Sequence, residues 1–159
     1  MDELVPRVGI GFDTHPWASD DRELWLGGVR FEGERGLDGH SDGDAVCHAI
    51  ADALLGGAAL GDVGEHFDED DEAVAGISGA LLLARTLEIV RTGGFAARSC
   101  DTTVICEHPA ISPRRDDLRA RLAEVLELPL EAVSVKATRP EGLGLAGNGV
   151  GCMAVVVLT

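Results

Sequence analysis

Asp13-Thr14-His15 places a carboxylate and an imidazole two residues apart. In an extended chain residues i and i+2 project from one face, so both groups can converge on one ion. A second cluster runs Gly39-His40-Ser41-Asp42-Gly43-Asp44-Ala45-Val46-Cys47-His48, with two histidines eight residues apart. His48 shares a helix face with Asp44 and Asp52 by i,i±4 spacing, so a carboxylate is expected to hold its second ring nitrogen while the first binds metal. His40 is expected near the positive end of the same helix, where an anion is stabilised. Taken alone, either motif fits a hydrogen-bonded turn or a capped helix. Together, within 36 residues, Asp13, His15 and His48 suit an open three-ligand zinc site whose fourth position is free for substrate.

Further along, Ala59-Leu60-Gly61-Asp62-Val63-Gly64 offers backbone donors and a carboxylate to a polyol. Lys136-Ala137-Thr138-Arg139-Pro140-Glu141 supplies cations, a hydroxyl and a carboxylate, although a plain strand and turn fits that segment equally well. Glycines 142, 144, 147, 149 and 151 mark a loop that either approaches a ligand closely or turns tightly.

These residues need elements to hold them. Val5–Asp13 reads as an opening strand, and Glu23–Leu26 and Val29–Phe31 flank Gly27-Gly28 as a hairpin, because the favoured turns want φ > 0 at both central positions. Ser41-Asp42-Gly43-Asp44 predicts a helix start, with Ala45–Leu55 helical and Gly56-Gly57 weakening or ending it. Gly61–Glu72 carries seven acidic residues and two glycines, which predicts an irregular acidic loop. Ile77–Arg91 has apolar residues at helical spacing and a Gly93-Gly94 stop. Strands are expected at Ser99–Glu107, Val133–Ala137 and Cys152–Leu158, with a helix over Pro113–Leu126. That order predicts one α+β domain over residues 1–159, a mixed sheet packed by helices. The last strand is continuously apolar, so cover on both faces is expected, from a second subunit or from the sheet's own curvature.

The composition narrows the function. Thirteen basic and 28 acidic residues give a net charge of −15, and Lys136 is the single lysine. Such a chain disfavours nucleic-acid backbones and anionic membranes. If it handles phosphates, positive charge must come from metal ions, backbone N–H groups and a few arginines. The apolar run Ala49–Leu60 contains Asp52 and two glycines and is too short to span a bilayer. Cys47, Cys100, Cys106 and Cys152 form no C-x-x-C pair, and no signal segment precedes the first strand, so free buried thiols and a cytoplasmic location are expected.

In combination and order, several pieces resemble the 2-C-methyl-D-erythritol 2,4-cyclodiphosphate synthase family: Gly11-Phe12-Asp13-Thr14-His15, Leu26-Gly27-Gly28-Val29, His40-Ser41-Asp42-Gly43-Asp44, His48, Asp52-Ala53-Leu54-Leu55-Gly56, Leu60-Gly61-Asp62-Val63-Gly64 and Val135-Lys136-Ala137-Thr138 through Glu141. The resemblance covers nearly the whole chain. It implies a homotrimer with active sites between subunits and Zn²⁺ at Asp13, His15 and His48. It implies the substrate 4-diphosphocytidyl-2-C-methyl-D-erythritol 2-phosphate, cyclised with release of CMP. By the same resemblance His40 and Ser41 hold phosphate, Asp62 and Gly64 hold the erythritol unit, and Pro109–Pro113 with Thr138 line the cytidine diphosphate side. Glu141 would hold Mg²⁺ or Mn²⁺ on the diphosphate.

The chain departs from the family pattern at several points. Arg139-Pro140 replaces two threonines, exchanging a hydroxyl for a long cation and removing an N–H. The family's T-G-R-G-E-G reads Ala146-Gly147-Asn148-Gly149-Val150-Gly151, Ala110 stands where a lysine is frequent, and Ile77 where an aspartate is common. Arg139 either pairs directly with a phosphate, which suits another CDP-polyol phosphate as substrate, or fills the pocket; a trimeric binding protein without turnover is the non-enzymatic alternative.

Overall fold

Glycines at alternate positions of the first strand decide how the layers meet. The computed structural model describes residues 5–144, 146 and 148–159. Strand β1 (Arg7–Pro16) turns Gly9, Gly11, Asp13 and His15 toward helix α1 (Ala45–Ala58). A Cβ on Gly9 would stand 1.8 Å from the Ala53 carbonyl oxygen, and one on Gly11 would stand 1.8 Å from that of Ala49. The helix therefore lies directly on the strand backbone, which is the close approach that glycine permits.

The remaining elements are β2 (Leu24–Leu26), β3 (Val29–Phe31), the single turn α2 (Val63–His66), α3 (Gly79–Thr92), β4 (Ala97–Ile105), α4 (Arg115–Leu126), β5 (Val133–Thr138) and β6 (Gly149–Leu158). Four strands form a mixed sheet in the order β1-β6-β4-β5, antiparallel except for the β4–β5 pair. The parallel pair is joined through α4, since parallel neighbours need a crossover. β2 and β3 make a separate hairpin, with positive φ at Gly27 and Gly28 as their turn requires. This is the α+β arrangement the element order predicts.

α1 is buried almost all round because β1 and β6 cover one side and α3 another. Its start is fixed by Asp44, fully buried, whose carboxylate accepts from the backbone N–H groups of Gly27 (2.8 Å), Gly28 (2.8 Å) and Cys47 (3.0 Å). One side chain thus caps the helix and ties it to the hairpin. Asp44→Ala strands these buried donors and removes the cap, so a loss of about 3 kcal/mol is expected. Urea denaturation should show a lower midpoint at unchanged slope; a loss under about 1 kcal/mol would contradict this reading.

Most boundaries shift by one to three residues, β1 running on to Pro16, and three departures from expectation are larger or change an element's kind. α1 runs through Gly56-Gly57 and ends at Ala59, which takes a left-handed φ of 58° while the Leu60 N–H returns to the Leu55 carbonyl (2.9 Å). Packing overrides propensity there: a Cβ on Gly57 would lie 3.0 Å from Leu158 Cδ1 and 3.1 Å from the Gly9 nitrogen. β6 begins at Gly149, so Gly149 and Gly151 belong to a strand and not to a loop, whereas Gly147 lies outside the described residues. A Cβ on Gly149 would meet the His15 carbonyl oxygen at 1.9 Å. The acidic loop carries one helical turn, α2, capped by Asp62.

Within one chain the last strand is not covered on both faces. Met153 and Val155 of β6 and Val8, Ile10 and Phe12 of β1 remain 40–68% exposed on the sheet's outer side. All four cysteines are free and buried, and burial is the first cause raising each thiol, Cys100 to about 12 and Cys106 to about 11. They stay protonated and inert, as free structural thiols should. Among the described residues no helix is long and apolar enough to cross a membrane.

Candidate metal centre

The period-2 alternation of β1 aims Asp13 and His15 inward, past the two glycines that admit α1, and α1 brings His48 over them. Asp13 Oδ2 lies 2.7 Å from His15 Nε2 and 3.4 Å from His48 Nδ1, and the two ring nitrogens are 3.2 Å apart. Among the described residues this is the group whose ligand atoms gather closely enough to hold a metal ion.

Each histidine is held at its other nitrogen. His15 Nδ1 donates to the Asp38 carbonyl (2.7 Å), which leaves Nε2 of the neutral ring as a lone pair. The Ser41 hydroxyl sits 3.0 Å from His48 Nε2, leaving Nδ1 free to face the centre. This corrects the expectation of a carboxylate partner for His48. Asp44 is consumed by the helix cap, and Asp52 accepts from the Val63 N–H (2.8 Å), so backbone donors have taken both acids.

Burial works to raise the Asp13 carboxyl, but its contacts with His15 and His48 and their charge outweigh it and hold the group below its ordinary value. Burial works to lower His15, while Asp13, the Asp38 carbonyl and the charge of Asp44 bring it above the usual imidazole range. Asp13 Oδ2 is nevertheless buried without a hydrogen-bond donor aimed at it. A cation between the three atoms resolves this, either a proton on His15 or a metal ion. The donor set fits the metal: ligand atoms about 2.0–2.1 Å from a tetrahedral Zn²⁺ stand roughly 3.3 Å apart, close to the separations found.

The centre opens into a cavity of about 390 Å³. His40, Ser41, Asp52, Asp62 and Gly64 line it together with the three ligand residues. Asp62 caps α2 through the Glu65 N–H (3.0 Å), and Asp52 anchors Val63, so the acidic segment is fixed to α1. Burial, then Asp62 and Asp13, raise the Asp52 carboxyl despite its N–H partner, and burial followed by Asp44 raises Asp42. His40 lies four residues ahead of the Asp44 cap of α1. It is exposed and faces Glu69 at 3.2 Å across the cavity mouth. Phe67, Val74, Ile77 and Leu82 form an apolar wall that no motif announced.

These pieces belong to one pattern that extends over the chain: the YgbB family model matches residues 6–159. The chain belongs to the YgbB family. A 2-C-methyl-D-erythritol 2,4-cyclodiphosphate synthase of Syntrophobacter fumaroxidans is 47% identical over 154 residues, 96% of this chain and 96% of that protein. A solved structure of 2C-methyl-D-erythritol-2,4-cyclodiphosphate synthase in a CDP-bound form superposes with a TM-score of 0.88 at 31% identity, covering 96% of this chain and all of that one. The bifunctional IspDF of Campylobacter jejuni matches with a TM-score of 0.90 at 33% identity over 97% of this chain and 42% of that one.

In this YgbB-family chain the other predicted site residues gather elsewhere. Pro109, Thr138 and Arg139 line a second cavity of about 220 Å³ with Cys106, Glu107 and Ser112. A cis His108–Pro109 bond shapes one wall, and the Cys106 N–H donates to the Thr138 carbonyl (3.2 Å) across the β4–β5 ends. Lys136 is paired with Asp101 on the sheet's outer face, so it is not a free cation for the site. Glu141 is exposed in the turn after β5 at φ 52° and joins neither cavity of its own chain.

Proposed function

We propose that this chain is a cyclodiphosphate synthase that converts 4-diphosphocytidyl-2-C-methyl-D-erythritol 2-phosphate to 2-C-methyl-D-erythritol 2,4-cyclodiphosphate and CMP in isoprenoid biosynthesis, with residues 1–159 acting as one domain in the cytoplasm. The observation that carries the reading is the Asp13, His15 and His48 cluster lining a cavity, in a chain 47% identical over 154 residues to a protein of that name. In the reaction an oxygen of the 2-phosphate bonds to the β-phosphorus, the bond from that phosphorus to the bridging oxygen breaks, and CMP leaves with the electron pair. No proton need be removed from the nucleophile, which is already anionic, so no general base is assigned.

Asp13, His15 and His48 would hold Zn²⁺, which when bound supplies Lewis-acid charge and a template for phosphate oxygens. The chain's own work is positioning, the main source of rate in phosphoryl transfer. His40 and Ser41 stand where they can hold the 2-phosphate, and the Asp62–Gly64 segment can take the polyol hydroxyls. The wall of Phe67, Val74, Ile77 and Leu82 suits a branched carbon skeleton and excludes water. Thr138, Arg139 and Pro109 are assigned to the nucleotide.

The apolar outer face of β1 and β6 supports assembly as a homotrimer, with the second cavity of one subunit serving the metal centre of the next. Glu141, exposed two residues after Arg139 of the second cavity, suits Mg²⁺ or Mn²⁺, ions that take one or two carboxylates plus substrate phosphates. Glu141→Gln should raise the Mg²⁺ needed for half-maximal rate at least about tenfold, the scale for even an indirect metal partner, with zinc content unchanged; an unaltered Mg²⁺ titration would remove Glu141 from the site.

Chelation tests the reading as a whole. CMP release from the substrate should stop when the chain is stripped of metal and return with Zn²⁺ and Mg²⁺. A folded, zinc-loaded trimer that binds CMP without releasing it from substrate would instead favour the non-enzymatic alternative. Arg139 in the cavity wall favours a second reading, another CDP-polyol phosphate as substrate, and turnover of such a compound at a higher kcat/KM would establish it.

A further inference from the structure

Two of the three ligand side chains take their orientation from one short segment, Leu37–Ser41. The Asp38 carbonyl accepts from His15 Nδ1 (2.7 Å), and the Ser41 hydroxyl meets His48 Nε2 (3.0 Å). The segment is laid along the end of β1 by two backbone bonds, Asp38 N–H to the Pro16 carbonyl (2.8 Å) and Ala18 N–H to the Gly36 carbonyl (2.9 Å), and by a bridge between Trp17 and Leu37. It fits closely against the histidine it orients: a Cβ on Gly39 would stand 3.0 Å from His15 Nδ1.

Arg22 holds the segment from its other side. Its Nη1 donates to the Gly39 carbonyl (3.1 Å) and to the Leu37 carbonyl (3.4 Å), the two that flank Asp38. Successive carbonyls of an extended segment point in opposite directions, so drawing those of 37 and 39 toward Arg22 turns that of 38 toward His15. The guanidinium is itself aimed by Asp20, which accepts from Nε at 3.0 Å and from Nη2 at 3.1 Å. Its stem packs on Gly36, where a Cβ would come within 2.5 Å of Arg22 Cγ. An ion pair this exposed adds little stability. What the planar fork adds is direction.

We propose that Arg22 is a positioning residue for the metal centre, acting through the Leu37 and Gly39 carbonyls to hold the Asp38 carbonyl on His15. The proposal rests on the metal reading of Asp13, His15 and His48. Its test is Arg22→Met, which keeps the stem against Gly36 and deletes the donors. Zn²⁺ affinity of the stripped protein is measured by competition with a chromophoric chelator, alongside thermal unfolding without metal and the His15 ring nitrogen signals of ¹⁵N-labelled protein.

The expected result is a Zn²⁺ dissociation constant raised about tenfold, the low end of the effect of losing a partner behind a ligand, because Arg22 acts one bond further out. Metal-free unfolding should move little, the His15 Nδ1 proton signal should shift or broaden, and Arg22→Lys should restore part of the affinity. A folded Arg22→Met chain that binds Zn²⁺ within about twofold of the parent overturns the proposal. Should Arg22→Met fail to fold, Arg22→Lys decides: its one ammonium matches the two carbonyls less well, so binding weakened severalfold supports the role and parent-like binding overturns it. A parent chain that binds no metal removes the metal reading itself, and this proposal with it.

Discussion

Replacing His48 with alanine is expected to abolish stoichiometric zinc while leaving the chain folded. The side chain sits at the rim of α1 and contributes to the centre through Nδ1, 3.4 Å from Asp13 Oδ2 and 3.2 Å from His15 Nε2. Its removal leaves one carboxylate and one imidazole. Zinc bound by four protein ligands gains about 10–16 kcal/mol, so one ligand is worth about 3 kcal/mol, on the order of a hundredfold in affinity. A positioned phosphate without its counter-charge should lose at least as much in rate. Metal analysis after dialysis, with circular dichroism as the check on folding, reads both parts. One zinc per chain retained in a folded His48→Ala protein would remove His48 from the ligand set.

Gly11→Ala is expected to damage stability and metal binding together. The added methyl would stand 1.8 Å from the Ala49 carbonyl oxygen and 2.8 Å from the Ala53 nitrogen, both backbone atoms of α1. Since the helix cannot absorb this by turning a side chain, it must move off the strand by about 1 Å or more, and overpacking of that kind costs about 3 kcal/mol. Ala49 follows His48 directly, so the same shift takes the imidazole away from Asp13, and a misplacement of about 1 Å can cost on the order of a hundredfold in rate. Gly56→Ala is the internal control. Its Cβ would find only the Ile10 carbonyl, at 3.9 Å, and a helical alanine should stabilise by about 0.5–1 kcal/mol. Parent-like unfolding and zinc affinity in Gly11→Ala would show that the close approach of α1 does not set the centre.

The parts of the centre legible in the sequence were those written in side-chain periodicity. Asp13 and His15 share a strand face, His48 follows an identifiable helix start, and Gly27-Gly28 marks its hairpin, and each of these meets its expected element. Helical spacing alone says which groups share a face and not which competitor reaches them first. Backbone N–H groups from Gly27, Gly28, Cys47 and Val63 occupy Asp44 and Asp52, and His48 is left to Ser41. Ser41, expected on phosphate, therefore also holds a ligand in place. The Asp38 carbonyl that orients His15 is a backbone atom and carries no sequence signal at all. Gly56-Gly57 reads as a stop because propensity is local, whereas Gly57 is used for contact with Gly9 and Leu158. The apolar wall of Phe67, Val74, Ile77 and Leu82 combines the end of α2, the turns after it and α3, at spacings that follow neither a helix nor a strand period, so no periodic pattern announces it.

Cyclisation itself is the most direct test. The zinc-loaded chain, with Mg²⁺ and 4-diphosphocytidyl-2-C-methyl-D-erythritol 2-phosphate, should give the two coupled phosphorus resonances of a cyclic diphosphate in ³¹P NMR, with free CMP in equal amount. Unchanged substrate, in a tube where a chain known to bind zinc is folded and a related synthase run in parallel turns over, would contradict the assignment.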